Sequence, residues 1–311
     1  MDFNYIFDNN DIIIGGIKIT DIKTNLRVRN YLDFEDNQDV KGSSLSAYLK
    51  YNLLRLSFFD FDIGSRFHVT RLAGGGPSFF TEPRIGFTVK INPELAFKGS
   101  WGIFMQDLVT ISDENEVVNV FEPWIITPRY LTPSSAIHYN AGLEFNPMNN
   151  LSIKLEGYYK IMHNLTLLNS LRTIYNPDYF HSGSGKAYGI EFLTKYNYWI
   201  FDFSASYAWM NSFKNDYGIT YHPRFDSRNN INLTLITNLG DGWVTSCVWN
   251  FASGTPFTQI LGYYDKLGIE ILSDTPFLLD SYYSFMVLAG RNKGNLPDYH
   301  RLDLSFSKKI E

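Results

Sequence analysis

The sequence predicts an all-β protein: an antiparallel up-and-down transmembrane β-barrel, here a partial barrel of about a dozen long strands. Three observations carry this expectation. Apolar and polar residues alternate with a period of two along most of the 311 residues, which gives each strand one apolar and one polar face. The alternating runs reach roughly 10 residues, the length a tilted strand needs to cross a bilayer, against about 5–6 in soluble sheets. Short turns alternate with long polar connections, the asymmetry of periplasmic turns and extracellular loops.

A first long strand is expected across residues 11–29, with a bulge near Asp21. Leu45, Ala47, Leu49 and Tyr51 then oppose Ser46, Tyr48 and Lys50. Phe59, Phe61, Ile63, Phe67 and Val69 oppose Asp60, Asp62, Gly64, Arg66 and His68. Ile85, Phe87, Val89 and Ile91 run into the turn Asn92-Pro93-Glu94, and Leu95, Phe97, Trp101 and Ile103 run out of it. The clearest hairpin sets Ile137, Tyr139, Ala141, Leu143 and Phe145 against Leu151, Ile153, Leu155, Tyr159 and Ile161, around residues 146–150 (NPMNN), a turn by composition.

The pattern continues. Tyr188, Ile190 and Phe192 precede a turn near Asn197; Phe201, Phe203, Ala205, Tyr207 and Trp209 follow it. Ile231, Leu233, Leu235 and Leu239 pass through Gly240-Asp241-Gly242 to Trp243, Thr245, Cys247, Trp249 and Phe251. Leu302, Leu304 and Phe306 mark the last strand. The long connections are 107–135, 211–229 and 256–299. Lys154, Glu156, Glu191 and Asp202 put full charges mid-strand on the polar face, where a barrel lumen hydrates them. Tyr196, Tyr198, Trp199, Trp209 and Trp243 are expected near strand ends as aromatic girdles at the headgroup level. The alternative, a soluble all-β fold, requires the apolar face to be buried.

Composition removes other classes. No run of about 18 uncharged apolar residues exists, so no helical span is expected. The net charge of −5 argues against a nucleic-acid partner. A lone Cys247 rules out an intramolecular disulfide and a cysteine zinc site. His68, His138, His163, His181, His222 and His300 show no metal-ligand spacing on a common strand face; for the loop residues His181 and His222 an ordinary solvated role is expected, with contact to a metal chelate as the alternative. No Ser-His-Asp arrangement is readable, and the carboxylates recur singly, so neither catalysis nor a cofactor is expected. Residues 183–186 (GSGK) lack the spacing and the Ser or Thr of a phosphate loop. Residues 1–10 lack the basic region and apolar core of a signal peptide.

Five segments in order carry a family resemblance: 133–144 (PSSAIHYNAGLE), 183–191 (GSGKAYGIE), 222–232 (HPRFDSRNNIN), 252–258 (ASGTPFT) and 295–305 (NLPDYHRLDLS). Their order and spacing resemble the later barrel of TonB-dependent receptors, with a Bacteroidota-like flavour. The resemblance implies a bacterial outer-membrane transporter for a scarce nutrient, such as an iron chelate, a vitamin or an oligosaccharide. It also implies a 22-stranded barrel with a plugged lumen, energised by the TonB complex. About a dozen strands fall short of that number, so residues 1–311 are expected to form one partial barrel domain lacking its plug, its early strands and a last hairpin. A self-contained small channel or adhesin barrel is the alternative.

On this reading the partners are outer-membrane lipid, a plug domain, the TonB complex and a small nutrient ligand. Aromatics in the expected extracellular segments offer rigid surface for such a ligand. Trp124, Tyr130, Tyr175, Tyr179, Tyr263 and Tyr264 are the candidate contacts, with Phe79, Phe80, Phe180, Tyr282 and Tyr283 in the same class. Arg84, Arg228 and Arg301 are candidate lumen or plug contacts, with cross-strand pairing inside the lumen as the plainer role.

Overall fold

A computed structural model describes residues 1–29, 35–71, 78–112, 122–169, 178–265 and 284–309. Among these residues there are twenty strands and no helix. In chain order they are β1 (Asp2–Ile6), β2 (Ile12–Arg29), β3 (Glu35–Leu53), β4 (Phe59–Arg71), β5 (Ser78–Lys90), β6 (Leu95–Gln106), β7 (Leu108–Thr110), β8 (Trp124–Ile126), β9 (Ser134–Met148) and β10 (Leu151–Leu168). Then follow β11 (Phe180–Tyr198), β12 (Phe201–Asp216), β13 (Ile219–Tyr221), β14 (Asn229–Gly240), β15 (Trp243–Ala252), β16 (Pro256–Phe257), β17 (Ile260–Asp265), β18 (Ser284–Leu288), β19 (Gly294–Asn295) and β20 (Tyr299–Lys308).

One antiparallel sheet runs β1-β2-β3-β4-β5-β6-β9-β10-β11-β12-β14-β15-β20, with β13 added beside β12. Each long strand pairs with the next long strand in the chain. The ribbons β7–β8, β16–β19 and β17–β18 stand outside this sheet, in the long connections. Among the described residues the two ends do not meet: β2 lies between β1 and β3, and β20 pairs with β15. The sheet is open, with an unpaired edge on each side.

Register turns the sequence alternation into two continuous surfaces. Tyr51, Ile63, Ile85, Trp101, Tyr139, Tyr159 and Tyr188 form one row across seven strands. Asp60, Thr88, Lys98, Gly142, Glu156 and Glu191 form a row on the other face. The apolar surface is open: Leu49 is 54% and Leu304 74% exposed. The buried apolar side chains, Ile111, Ile125, Ile126, Leu167, Phe180 and Tyr221, sit in connections and at strand ends instead. A soluble fold would bury the sheet's apolar face; a lipid-facing barrel wall leaves it outside.

Turn chemistry sets the strand ends. Asp241 and Gly242 both have positive φ (48° and 78°) between the paired residues Gly240 and Trp243. That is the two-residue turn whose twist matches flanking strands. The expected bulge near Asp21 is absent: β2–β3 register is unbroken from Ile12–Asn52 to Arg29–Glu35. Register shifts occur elsewhere, as in β10 between Met162 and Leu165, where Asn164 takes φ 54°. Phe79 and Phe80, expected in a loop, belong to β5, and Phe79 stacks on Phe67. Trp209 lies inside β12, not near its end, because β12 continues to Asp216. Tyr196, Tyr198, Trp199 and Trp243 do cluster at the short-turn end.

At that end Asp11 is 1% exposed and ties two turns together. Its carboxylate accepts from the Tyr51 hydroxyl at 2.6 Å, the Leu54 N–H at 2.9 Å, the Arg55 N–H at 3.2 Å and the Asn9 amide at 3.1 Å. The Tyr51 hydrogen bond above all holds this carboxyl below its ordinary 3.8. A depressed carboxyl contributes stability above its unfolded value and loses it as pH falls through the folded one. Asp11→Asn is therefore expected to flatten the acid limb of the urea-midpoint curve below pH 3.8. An unchanged limb in the variant would discard this role.

Candidate functional site at the lumen wall and extracellular rim

The polar face is a ladder of ion pairs. Lys50 meets Asp62 at 3.3 Å, Lys90 meets Asp60 at 2.9 Å, and Lys154 meets Glu144 at 3.6 Å, with Lys98 on the same carboxylate. Arg84 pairs with Glu82 at 2.7 Å and lies 4.5 Å over the Phe104 ring. Arg301 pairs with Asp303 at 2.8 Å. Both arginines thus bond a carboxylate two residues away on their own strand. Arg228 lies just before β14 and belongs to the rim, not the wall.

At the rim the connection after β6 turns inward. His68, on the polar face of β4, contacts Asp107 at 2.8 Å. The Asp107 carbonyl accepts from Thr127 N–H at 2.8 Å and from its hydroxyl at 3.0 Å, and Thr127 is fully buried. This staple holds β7–β8 against the wall, where β8 reaches β2 and β3. Ile111, Ile125 and Phe180 form a small apolar core, joined by Val109, Leu131, Leu168 and Tyr179. The Tyr130 hydroxyl accepts from the Phe180 N–H at 3.3 Å, and desolvation raises it above its ordinary value. Trp124, 57% exposed, projects from the ribbon.

A second assembly joins three connections by polar contacts. Asp226, 2% exposed, accepts from Ser212 N–H at 3.1 Å and Ser212 hydroxyl at 3.2 Å, and its carboxylate stands 2.9 Å from His222 Nδ1. His222 Nδ1 also lies 2.8 Å from the Ser212 carbonyl, and Arg228 reaches His222 Nε2 at 3.4 Å. Nδ1 thus faces the Ser212 carbonyl as donor, and Nε2 faces the Arg228 guanidinium as acceptor. Asn292 donates to the His222 carbonyl at 2.9 Å and exchanges bonds with buried Thr258. Arg291 pairs with Asp216 and lies 5.0 Å over the Tyr221 ring. His181 Nε2 stands 2.8 Å from Asp216 without hydrogen-bond alignment.

Tyr217 and Gly218 form a two-residue turn with φ of 50° and 84°. A non-glycine residue is rare in that region. Tyr217 is held there by stacking 4.0 Å from His181 and by its hydroxyl bond to Asn169 at 3.0 Å. Over-determined local strain of this kind is found where loops are positioned for binding.

The structure brings Trp124, Tyr130 and Tyr179 to one inward-turned assembly. Tyr263 and Tyr264 stand exposed on the separate ribbon β17–β18. Tyr175, Tyr282 and Tyr283 lie outside the described residues. His181, expected in a loop, opens β11. Sequence reading missed Asp216, Asp226, Arg291 and Asn292; the sole signal was the His222–Asp226 spacing of four. Among the described residues, no group of three or more His, Cys, Asp or Glu side chains is placed to hold a metal.

A family model described as "TonB dependent receptor-like, beta-barrel" matches residues 2–311. Among curated proteins, none matches the chain. Solved structures share the fold at low identity. The ferripyoverdine receptor of the outer membrane of Pseudomonas aeruginosa superposes with TM-score 0.64 and 13% identity, covering 100% of this chain and 41% of its own. For the siderophore receptor PirA of Acinetobacter baumannii the values are 0.65, 11%, 100% and 47%. For the ferric yersiniabactin uptake receptor FyuA of Yersinia pestis they are 0.61, 11%, 96% and 43%. The chain therefore spans less than half the length of each.

Proposed function

The chain belongs to the TonB-dependent receptor β-barrel family, and from that premise we propose that it forms part of the wall and mouth of a receptor importing one scarce nutrient. The family is one of transporters, not enzymes, and places the chain in the bacterial outer membrane. The observation that carries the proposal is the pairing of a lipid-type outer face with inward-turned rim segments that present aromatic side chains.

The nutrient is an iron chelate, a vitamin or an oligosaccharide, met outside by Trp124 and Tyr130 among others. A plug domain fills the lumen and contacts the ladder that includes Arg84 and Arg301. Arg228 positions the rim through His222 and Asp226. The TonB complex supplies the energy. The open sheet supports a segment of a larger barrel over a self-contained small channel or adhesin.

The test is uptake by cells carrying the intact gene, with labelled ferric chelates, cobalamin and oligosaccharides supplied in turn. One class is expected to accumulate, and only when TonB is present. The double variant Trp124→Ala, Tyr130→Ala is expected to weaken binding by about tenfold or more, the usual effect of losing anchoring aromatics. Uptake that continues without TonB would favour the passive channel.

A further inference from the structure

The apolar outer face contains a furrow. Gly99, Ala141 and Gly157 follow one another in a single row across β6, β9 and β10. Side-chain rows on one face lie about 6.6–6.8 Å apart, so a row without bulky side chains leaves a channel between its neighbours. Trp101, Tyr139, Tyr159 and Tyr188 form the bank toward the rim. Phe97, Leu143, Leu155 and Phe192 form the other. The cavity along the rim-side bank, lined by Trp101, Tyr139, Tyr159, Tyr188 and the small-residue row, holds about 610 Å³. Phe87 closes one end: a Cβ on Gly99 would meet its ring at 2.5 Å. Gly157 is open, with nothing closer than 3.9 Å to an added Cβ.

Lys186 stands on the same face, in the row beyond Tyr188, beside Ile161 and Phe213. It is exposed, and among the described residues no ion pair or hydrogen bond engages its ammonium. A lone cation on a lipid-facing surface needs an anion at headgroup level. Its Cα lies four residues along β11 from Ile190 at the furrow's end, about 13 Å at strand rise. That offset suits a phosphate on Lys186 with an acyl chain descending into the furrow.

We propose that this furrow binds one acyl chain of an anionic outer-leaflet lipid whose phosphate pairs with Lys186. The carbon-lined channel selects a chain, and the unpaired ammonium selects the charge.

The intact receptor, delipidated and reconstituted in phosphatidylcholine vesicles, tests this with brominated-acyl phosphatidylglycerol or brominated-acyl phosphatidylcholine as probe. The readout is the quenching assigned to Trp101 by difference from Trp101→Phe. Phosphatidylglycerol is expected to quench at about five- to tenfold lower mole fraction, the weight of one lysine near an anionic surface. Lys186→Gln should erase that preference. Gly157→Leu should remove the saturable component for both lipids, with Ala141→Phe as a second filling variant should the first fail to fold. Equal quenching by both lipids in the wild type, or a preference that survives Lys186→Gln, overturns the proposal. A wild-type dimer in detergent that Gly157→Leu makes monomeric also overturns it, because the occupant is then a second copy.

Discussion

Asp226→Ala is expected to detach residues 217–228 from the barrel rim. The carboxylate is almost fully buried and satisfies both donors of Ser212, with His222 Nδ1 at 2.9 Å and Arg228 at 3.5 Å. Truncation leaves those donors without acceptors and a cation without its counter-charge. Leaving buried donors without their acceptor costs about 1–3 kcal/mol each, whereas Arg228, with 47% of its side chain exposed, stays hydrated. The loss is local, because β12 and β14 stay paired through nine register positions, Phe201–Thr237 to Trp209–Asn229. Hydrogen exchange on the intact receptor should show protection lost at 217–228 and kept in β12. Asp226→Asn retains one acceptor oxygen and should lose less. Unchanged protection in the alanine variant would remove Asp226 from this role. Nutrient binding should weaken in parallel, since Asn292 ties the same segment to the connection between β15 and β20 through the His222 carbonyl.

The two surfaces of the sheet were legible because strand side chains alternate and the alternation is local. Leu143 against Glu144, or Leu155 against Glu156, already assigns a face before any partner strand is known. The turn at Asp241-Gly242 was legible for the same reason: both residues suit positive φ. The rim was not. Arg291 and Asp216 are 75 residues apart, and Asn292 and His222 are 70 apart. Loop segments carry no period that would bring such pairs together in advance. Arg84 and Arg301 show the intermediate case. Their face was readable, but their partner was not, because Glu82 and Asp303 compete from two residues away on the same strand. The open edges also follow from register, not composition, since only the strand order, which among the described residues ends on β1 and β20, shows that the sheet does not close.

Leu155→Arg and Thr234→Arg should separate the two faces by the largest margin available within a strand. Along β11 the outer face runs from Tyr188 to Tyr198, which at strand rise is about 33 Å and, tilted by 35–45°, close to the roughly 25 Å apolar band of an outer-membrane barrel. Leu155 pairs with Phe192 near the middle of that band. Arginine at the midplane of the lipid face costs about 2–4 kcal/mol, whereas lumen positions tolerate charge. Thr234 pairs with Ser204 and Val248 on the opposite face, one strand pair from Asp303. Urea midpoints of the intact receptor folded into vesicles should therefore fall sharply for Leu155→Arg and stay near wild type for Thr234→Arg. The contrast identifies lipid as the cause, because Leu155 is already 43% exposed in the folded chain. An arginine there would find ample water if the face were wet, so a neutral Leu155→Arg would return the sheet to aqueous surroundings and remove the membrane from every step that depends on it.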